Sequence, residues 1–149
     1  MNKDLHTPNT VTLSASKTYQ VQFNECDPIG IMWHGNYIKM FETGREAFSE
    51  KYGLDFLGIY ENGFATLIVH AELNYKKPLQ YKDRAVIQAS FRKTDAAKII
   101  FDYKITNEAT GDIICTGTTT QVFVNTVTRQ LFLTNPDFYT AWKQKQGIA

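Results

Sequence analysis

One carboxylate stands out among the side chains that could do acid–base or covalent chemistry. Asp27 lies in residues 24–35, a stretch punctuated by Asp27-Pro28, Gly30 and Gly35 yet holding Cys26, Ile29, Ile31, Met32, Trp33 and His34. Loop punctuation with that much apolar surface points to a segment lying against a partner surface or lining a pocket, not one standing in open water. A carboxylate held there, just ahead of a helix, can act as general base on water or attack a carbonyl carbon directly. Asp-Pro is equally ordinary turn chemistry, and spacing alone does not separate the two. The chain has no G-x-S-x-G, so a serine nucleophile elbow has no support. Cys26 has no histidine at a readable pairing distance, and Cys26, Asp27, His34 and His70 match no compact metal-ligand spacing.

The elements that must position this loop follow from periodicity. Residues 17–23 alternate, with Tyr19, Val21 and Phe23 on one face and Thr18, Gln20 and Gln22 on the other, which predicts a half-buried strand. From Tyr37 the spacing becomes three and four (Tyr37, Met40, Phe41, Gly44, Phe48), the apolar face of a helix with Asn36 as N-cap and Gly53 as its stop. Gly44 inside that helix costs about 1 kcal/mol against alanine; close approach of another backbone, as when a sheet wraps the helix, would compensate. Four strands are expected after Gly63. Ala65 to Tyr75 alternates, Ala85 to Phe91 and Ile99 to Ile105 follow, and residues 113–124 make the last, after a turn at Thr110-Gly111-Asp112. A short helix is expected from Asn135-Pro136, with Phe138 and Trp142 as its apolar pair. The fold class is α+β: a five-stranded antiparallel sheet and one long helix. One helix cannot cover both faces of such a sheet, so a second subunit, in a homodimer or homotetramer, is expected against part of it. Residues 1–16 read as a flexible leader and 17–149 as one domain.

Residues 23–37, Phe-Asn-Glu-Cys-Asp-Pro-Ile-Gly-Ile-Met-Trp-His-Gly-Asn-Tyr, resemble the signature of the 4-hydroxybenzoyl-CoA thioesterase family. The matching parts are Asp27, Gly30, His34 seven residues after the aspartate, and Asn36-Tyr37 opening the helix; the resemblance continues through Glu42, Arg45 and Tyr75-Lys76-Lys77-Pro78 and spans roughly residues 17–130. It implies the hotdog fold, in which a curved antiparallel sheet wraps a long helix, and hydrolysis of an acyl-CoA or acyl-carrier-protein thioester at sites shared between subunits, without metal or cofactor. On this reading Asp27 is base or nucleophile and His34 assists. Gly30, Trp33, Asn36 and Tyr37 meet the substrate, and backbone N–H groups near Asn36 or Tyr37 polarise the carbonyl. CoA phosphates would be met by basic groups among Arg92, Lys93, Lys98 and Arg129, with Lys93 and Lys98 foremost, although residues 94–97 interrupt the denser basic run often found there. That gap keeps an acyl carrier protein in play as the acyl donor. A non-catalytic acyl-binding protein on the same scaffold is the reading from another class.

Composition removes several classes. With 149 residues, 43% hydrophobic and 21% charged, the chain can bury a core and is not globally disordered. A net charge of +1 argues against a dedicated nucleic-acid binder. No apolar run approaches the length of a membrane span. The polar segment 1–16 carries no signal-like apolar region, and the two cysteines, Cys26 and Cys115, form no C-x-x-C pair. Free thiols and a reducing, cytoplasmic compartment are the expectation.

Overall fold

The computed structural model describes residues 12–148. The element order is β1 (Ser14–Gln20), α1 (Tyr37–Tyr52), α2 (Phe56–Glu61), β2 (Phe64–Tyr75), β3 (Arg84–Arg92), β4 (Lys98–Asn107), β5 (Ile113–Asn125), β6 (Leu131–Phe132) and α3 (Asp137–Lys145), with short 3-10 turns at Phe23–Glu25 and His34–Asn36. The strands form one antiparallel sheet in the order β1-β3-β4-β5-β2, with the two-residue β6 added to β5. The sheet curves around α1, whose buried face is Tyr37, Met40, Phe41, Gly44, Ala47 and Phe48. This is the hotdog arrangement, as expected, with the small strand β6 and helix α2 in addition.

The compensation for Gly44 is visible. A Cβ at this position would stand 2.9 Å from Ile87 Cγ2 and 3.5 Å from Ala89 Cβ, so the glycine lets α1 sit directly on β3. On β5, Gly117 leaves room for the Phe41 ring, which stacks on Tyr103 with centroids 4.3 Å apart.

Two sequence expectations shift. β1 starts at Ser14 and ends at Gln20, so residues 14–16 belong to the sheet and not to a leader; residues 1–11 and His6 with them lie outside the described residues. The strand ends early because the Gln22 N–H donates to Glu25 Oε1 (2.7 Å) and Phe23 enters a 3-10 turn, 77% exposed instead of facing inward. β2 does not present one continuous face. Its pairing with β5 slips between Ile68 and His70, a bulge at Val69. An extra residue reverses the alternation, so Thr66 and Ile68 face the helix side before the bulge, while Leu73 packs against the core and Tyr75 faces a cavity after it.

Candidate active site

The stretch carrying Asp27 is a small hairpin. Cys26 and Met32 pair as an antiparallel bridge, the Asp27 N–H donates to Ile31 O (2.8 Å), and the Gly30 N–H donates to Asp27 O (2.9 Å). Gly30 has φ +84°, the left-handed conformation this tight turn needs and glycine tolerates at no steric cost. Gly30 therefore shapes the loop. Asp27 Oδ1 accepts the Ile29 N–H at 3.0 Å, so the carboxylate holds its own turn and is fixed in direction by it. No hydrogen-bond donor meets Oδ2 among the described residues.

The hairpin is tied to the rest of the molecule at two points. Met32 N–H donates to Leu79 O (2.7 Å), and Ile31 bridges Gln80. Glu25 O accepts both the Trp33 N–H and the Asn36 Nδ2–H, each at 2.9 Å. Asn36 is 8% exposed and in helical conformation, and its side chain caps nothing. It is a buried staple across the loop, not the N-cap expected from sequence. The helix instead starts one 3-10 turn earlier, at His34, after the extended Trp33. The Asn36 N–H is taken by Trp33 O and the Tyr37 N–H by His34 O. The amides of Asn36 and Tyr37 themselves are thus already paired; of the N–H groups near them at the helical start, those of His34 and Gly35 lack an intrahelical acceptor.

Asp27, Ile31, Met32, His34, Tyr37, Tyr75, Lys76, Lys77 and Pro78 enclose a cavity of about 340 Å³. Tyr37 is buried, and its hydroxyl accepts the Leu79 N–H at 3.1 Å, which pins the segment after β2 against the helix start; burial raises its pKa above the ordinary phenol value. Tyr75 stacks edge-on against Tyr37 with centroids 5.3 Å apart and donates its hydroxyl to His34 O at 3.0 Å. Sequence reading placed Tyr75 at the end of an alternating strand and within the family resemblance, with no site role. Its role at the cavity follows from the bulge, which no local pattern announced. Trp33 is half exposed, and its ring covers Gly35, where a Cβ would collide with it. It leans on the His34 imidazole, centroids 5.0 Å apart, outside the cavity lining.

Asp27, His34 and Tyr37 are therefore brought together, with Gly30 shaping the turn and Asn36 behind the loop. Lys93 and Lys98 are not part of this cluster. The Asp27 hairpin docks near Leu79–Asp83, just before β3, whereas Lys93 follows the far end of β3 and Lys98 opens β4. At about 3.3 Å per residue, β3 separates the two regions by roughly 26 Å within one chain. Arg92 is ion-paired with Asp102. Lys76 lies on the wall of the Asp27 cavity, and Lys77 pairs with Asp112 at 3.2 Å. His70 is exposed on β2 beside Glu72, and Cys115 is fully buried with its thiol pushed up to about 11 by desolvation. No three metal-binding side chains converge among the described residues, and no helix there is long and apolar enough to cross a membrane.

A profile of the thioesterase-like superfamily matches residues 21–142, which span the Asp27 hairpin, α1 and the whole of the sheet beyond β1. The chain belongs to that superfamily. Its membership makes it a thioester hydrolase, as the motif predicted. Over 136 residues it is 28% identical to the "Putative acyl-CoA thioesterase YneP" of Bacillus subtilis (strain 168), an alignment covering 87% of this chain and 96% of the relative. Solved structures with the same fold include a DHNA-CoA thioesterase from Staphylococcus aureus (TM-score 0.78, 23% identity, 90% of this chain and 91% of that one). Another is a mutant 4-hydroxybenzoyl-CoA thioesterase complexed with 4-hydroxybenzoyl-CoA (TM-score 0.75, 20% identity, 87% and 98%). In this superfamily member the Asp27 hairpin precedes α1.

Proposed function

We propose that this chain hydrolyses acyl-CoA thioesters to a free acid and CoA, with Asp27 as general base or nucleophile. The observation that supports the reading is that Asp27 lines the same cavity as His34, the first residue of the helical start, where N–H groups have no intrahelical acceptor. The thioester carbonyl oxygen would point at the His34 and Gly35 N–H groups, where the helix dipole favours developing negative charge. Water activated by Asp27, or Asp27 itself, would attack the carbonyl carbon. The C–S bond then breaks, and the departing thiolate takes up a proton. His34, which lines the same cavity, would hold or protonate the leaving group. If Asp27 attacks, the mixed anhydride is hydrolysed by water in a second step.

The CoA pantetheine would leave the cavity past Lys76, and Lys93 and Lys98 would meet its phosphates from a second subunit. The open edge of β2, with Leu67 and Val69 more than half exposed, supports such an oligomer.

The test is release of free thiol from a panel of acyl-CoAs by the wild type and by Asp27→Asn. The variant should stay folded and lose about 100-fold or more in kcat. Equal rates in the two proteins would remove Asp27 from the chemistry. No turnover of any acyl-CoA by the wild type would turn the reading to acyl-carrier-protein thioesters. Single-turnover hydrolysis in ¹⁸O-labelled water tests the nucleophile role: label entering the Asp27 carboxylate means that Asp27 attacked the carbonyl and that water opened the anhydride at the aspartyl carbon.

A further inference from the structure

Tyr75, the last residue of β2, reaches across to the helical start that follows the Asp27 hairpin. Its hydroxyl donates to His34 O at 3.0 Å, a bond between residues 41 positions apart in the chain. The same oxygen accepts the Tyr37 N–H from within the helix. Two donors from two elements thus hold one carbonyl. The peptide unit is planar, so holding the His34 oxygen also fixes the Gly35 N–H, which points the opposite way. A carbonyl that accepts hydrogen bonds makes the N–H of its own peptide a stronger donor.

β2 reaches this geometry through its bulge. Thr66 and Ile68, before Val69, line a separate cavity of about 590 Å³ beside α1, and Tyr75, after it, lines the Asp27 cavity. Without the extra residue the Tyr75 side chain would leave on the other face of the sheet. The strand end that carries it is held in place. Tyr75 pairs with Cys115 of β5, and the next two amides, Lys76 and Lys77, both donate to Ile114 O, at 2.8 and 3.1 Å. The ring rests edge-on against Tyr37, centroids 5.3 Å apart. His34 has less to hold it through its own side chain: the imidazole makes no hydrogen bond among the described residues and leans on Trp33. Where the imidazole and the neighbouring N–H groups stand is therefore set by the main chain, and the Tyr75 hydroxyl ties that main chain to the sheet.

We infer that Tyr75 is a positioning residue for thioester hydrolysis: through His34 O it holds the His34–Gly35 peptide and the root of the His34 side chain in register with Asp27. The inference rests on the reading above for the reaction and for the role of the helix-start N–H groups.

The test is Tyr75→Phe, which removes the hydroxyl and keeps the ring. Thiol release is measured with benzoyl-CoA and decanoyl-CoA. The value of kcat should fall about tenfold or more while KM stays within about twofold, because a donor set out of line is missed mainly in the transition state. The urea midpoint should stay close to the wild type, since the Tyr37 N–H still occupies His34 O. The second readout is the infrared stretch of the ¹³C-labelled thioester carbonyl bound to Asp27→Asn protein. Binding should lower it below its position in water, and adding Tyr75→Phe should return it toward that position. Tyr75→Leu takes away the same hydroxyl and decides, on the same stretch, if Tyr75→Phe fails to fold. An unchanged kcat overturns the inference, and so does an unmoved stretch, which would make any loss of kcat a structural effect. If neither thioester binds or turns over, the inference and the hydrolysis reading fall together. A stretch that depends on Tyr75 without thiol release would sink hydrolysis and leave the polarising role of Tyr75 standing. Thiol release that needs Asp27 but not Tyr75 would sink only the inference.

Discussion

In the proposed mechanism Asp27 serves two ends with one carboxylate: Oδ1 closes the turn by accepting the Ile29 N–H, and the residue lines the cavity. The two readings open at the sequence level, turn residue and catalytic group, are therefore compatible, since the turn fixes the direction in which the carboxylate points. Asn36 makes the contrasting case. It looks like a cap in sequence, yet its buried amide holds Glu25 O and thus the base of the hairpin. Asn36→Ala should cost about 1–2 kcal/mol of unfolding free energy, the loss of a buried hydrogen bond, and should lower kcat by loosening the loop. Asp27→Asn should lower kcat with little change in unfolding free energy. Urea titration beside thiol-release kinetics separates the two; an Asn36→Ala protein with unchanged stability would show that the staple is dispensable. Asp27, Gly30, His34 and Tyr37 were legible because their types and spacing form a local signature. The role of Asn36 was not, because its partner is eleven residues back and a 3-10 turn moved the helix start.

The helix α1 and the strands around it were legible from period alone, since apolar spacings of two and three-to-four report which faces are buried. What periodicity could not supply is the bulge at Val69 and the resulting split of β2 between two cavities. One inserted residue reverses the facing of every later side chain, and nothing in the local composition marks it. Gly44 was readable as a tight approach before the partner was known, and β3 proves to be that partner. Gly44→Ala gains about 1 kcal/mol in helix propensity but forces a methyl against Ile87 Cγ2, an overpacking cost of about 1–3 kcal/mol. The net should be destabilising. In an Ile87→Ala background the clash is gone and the same substitution should become neutral or stabilising. A double-mutant cycle by denaturant unfolding measures the coupling, and a Gly44→Ala effect independent of residue 87 would refute the contact as the reason for glycine.

At the scale of the whole molecule, burial of ionisable groups sets an alkaline limit to stability. Desolvation pushes the Cys115 thiol from 9.0 up to about 11 and the Tyr103 phenol from 10.0 up to about 12, and it also raises Tyr139. In each case the folded state holds its proton more tightly than the unfolded chain. Their contribution is therefore whole below pH 9 and is lost as pH rises through about 11 and then 12. Urea midpoints should be flat to about pH 9 and fall above it, and Cys115→Ala should delay the onset toward pH 10; an onset unmoved by that substitution would acquit the thiol. The other whole-molecule consequence concerns the free edge of β2. Its outer residues Leu67 and Val69 are exposed and apolar, and among the described residues only β5 pairs with the strand. An apolar edge of this kind is usually blunted by charge or by a bulge, or covered by another chain; here it carries no lysine, and the bulge at Val69 interrupts it at one point. If two copies join along it, Leu67→Lys should convert the protein to a monomer in sedimentation experiments. Thiol release should fall with it, because Lys93 and Lys98 would no longer reach the phosphates of a thioester held at the other copy's Asp27. A wild type that sediments as a monomer with full turnover would show that each chain works alone, and Lys76 would then be the basic residue to test for CoA.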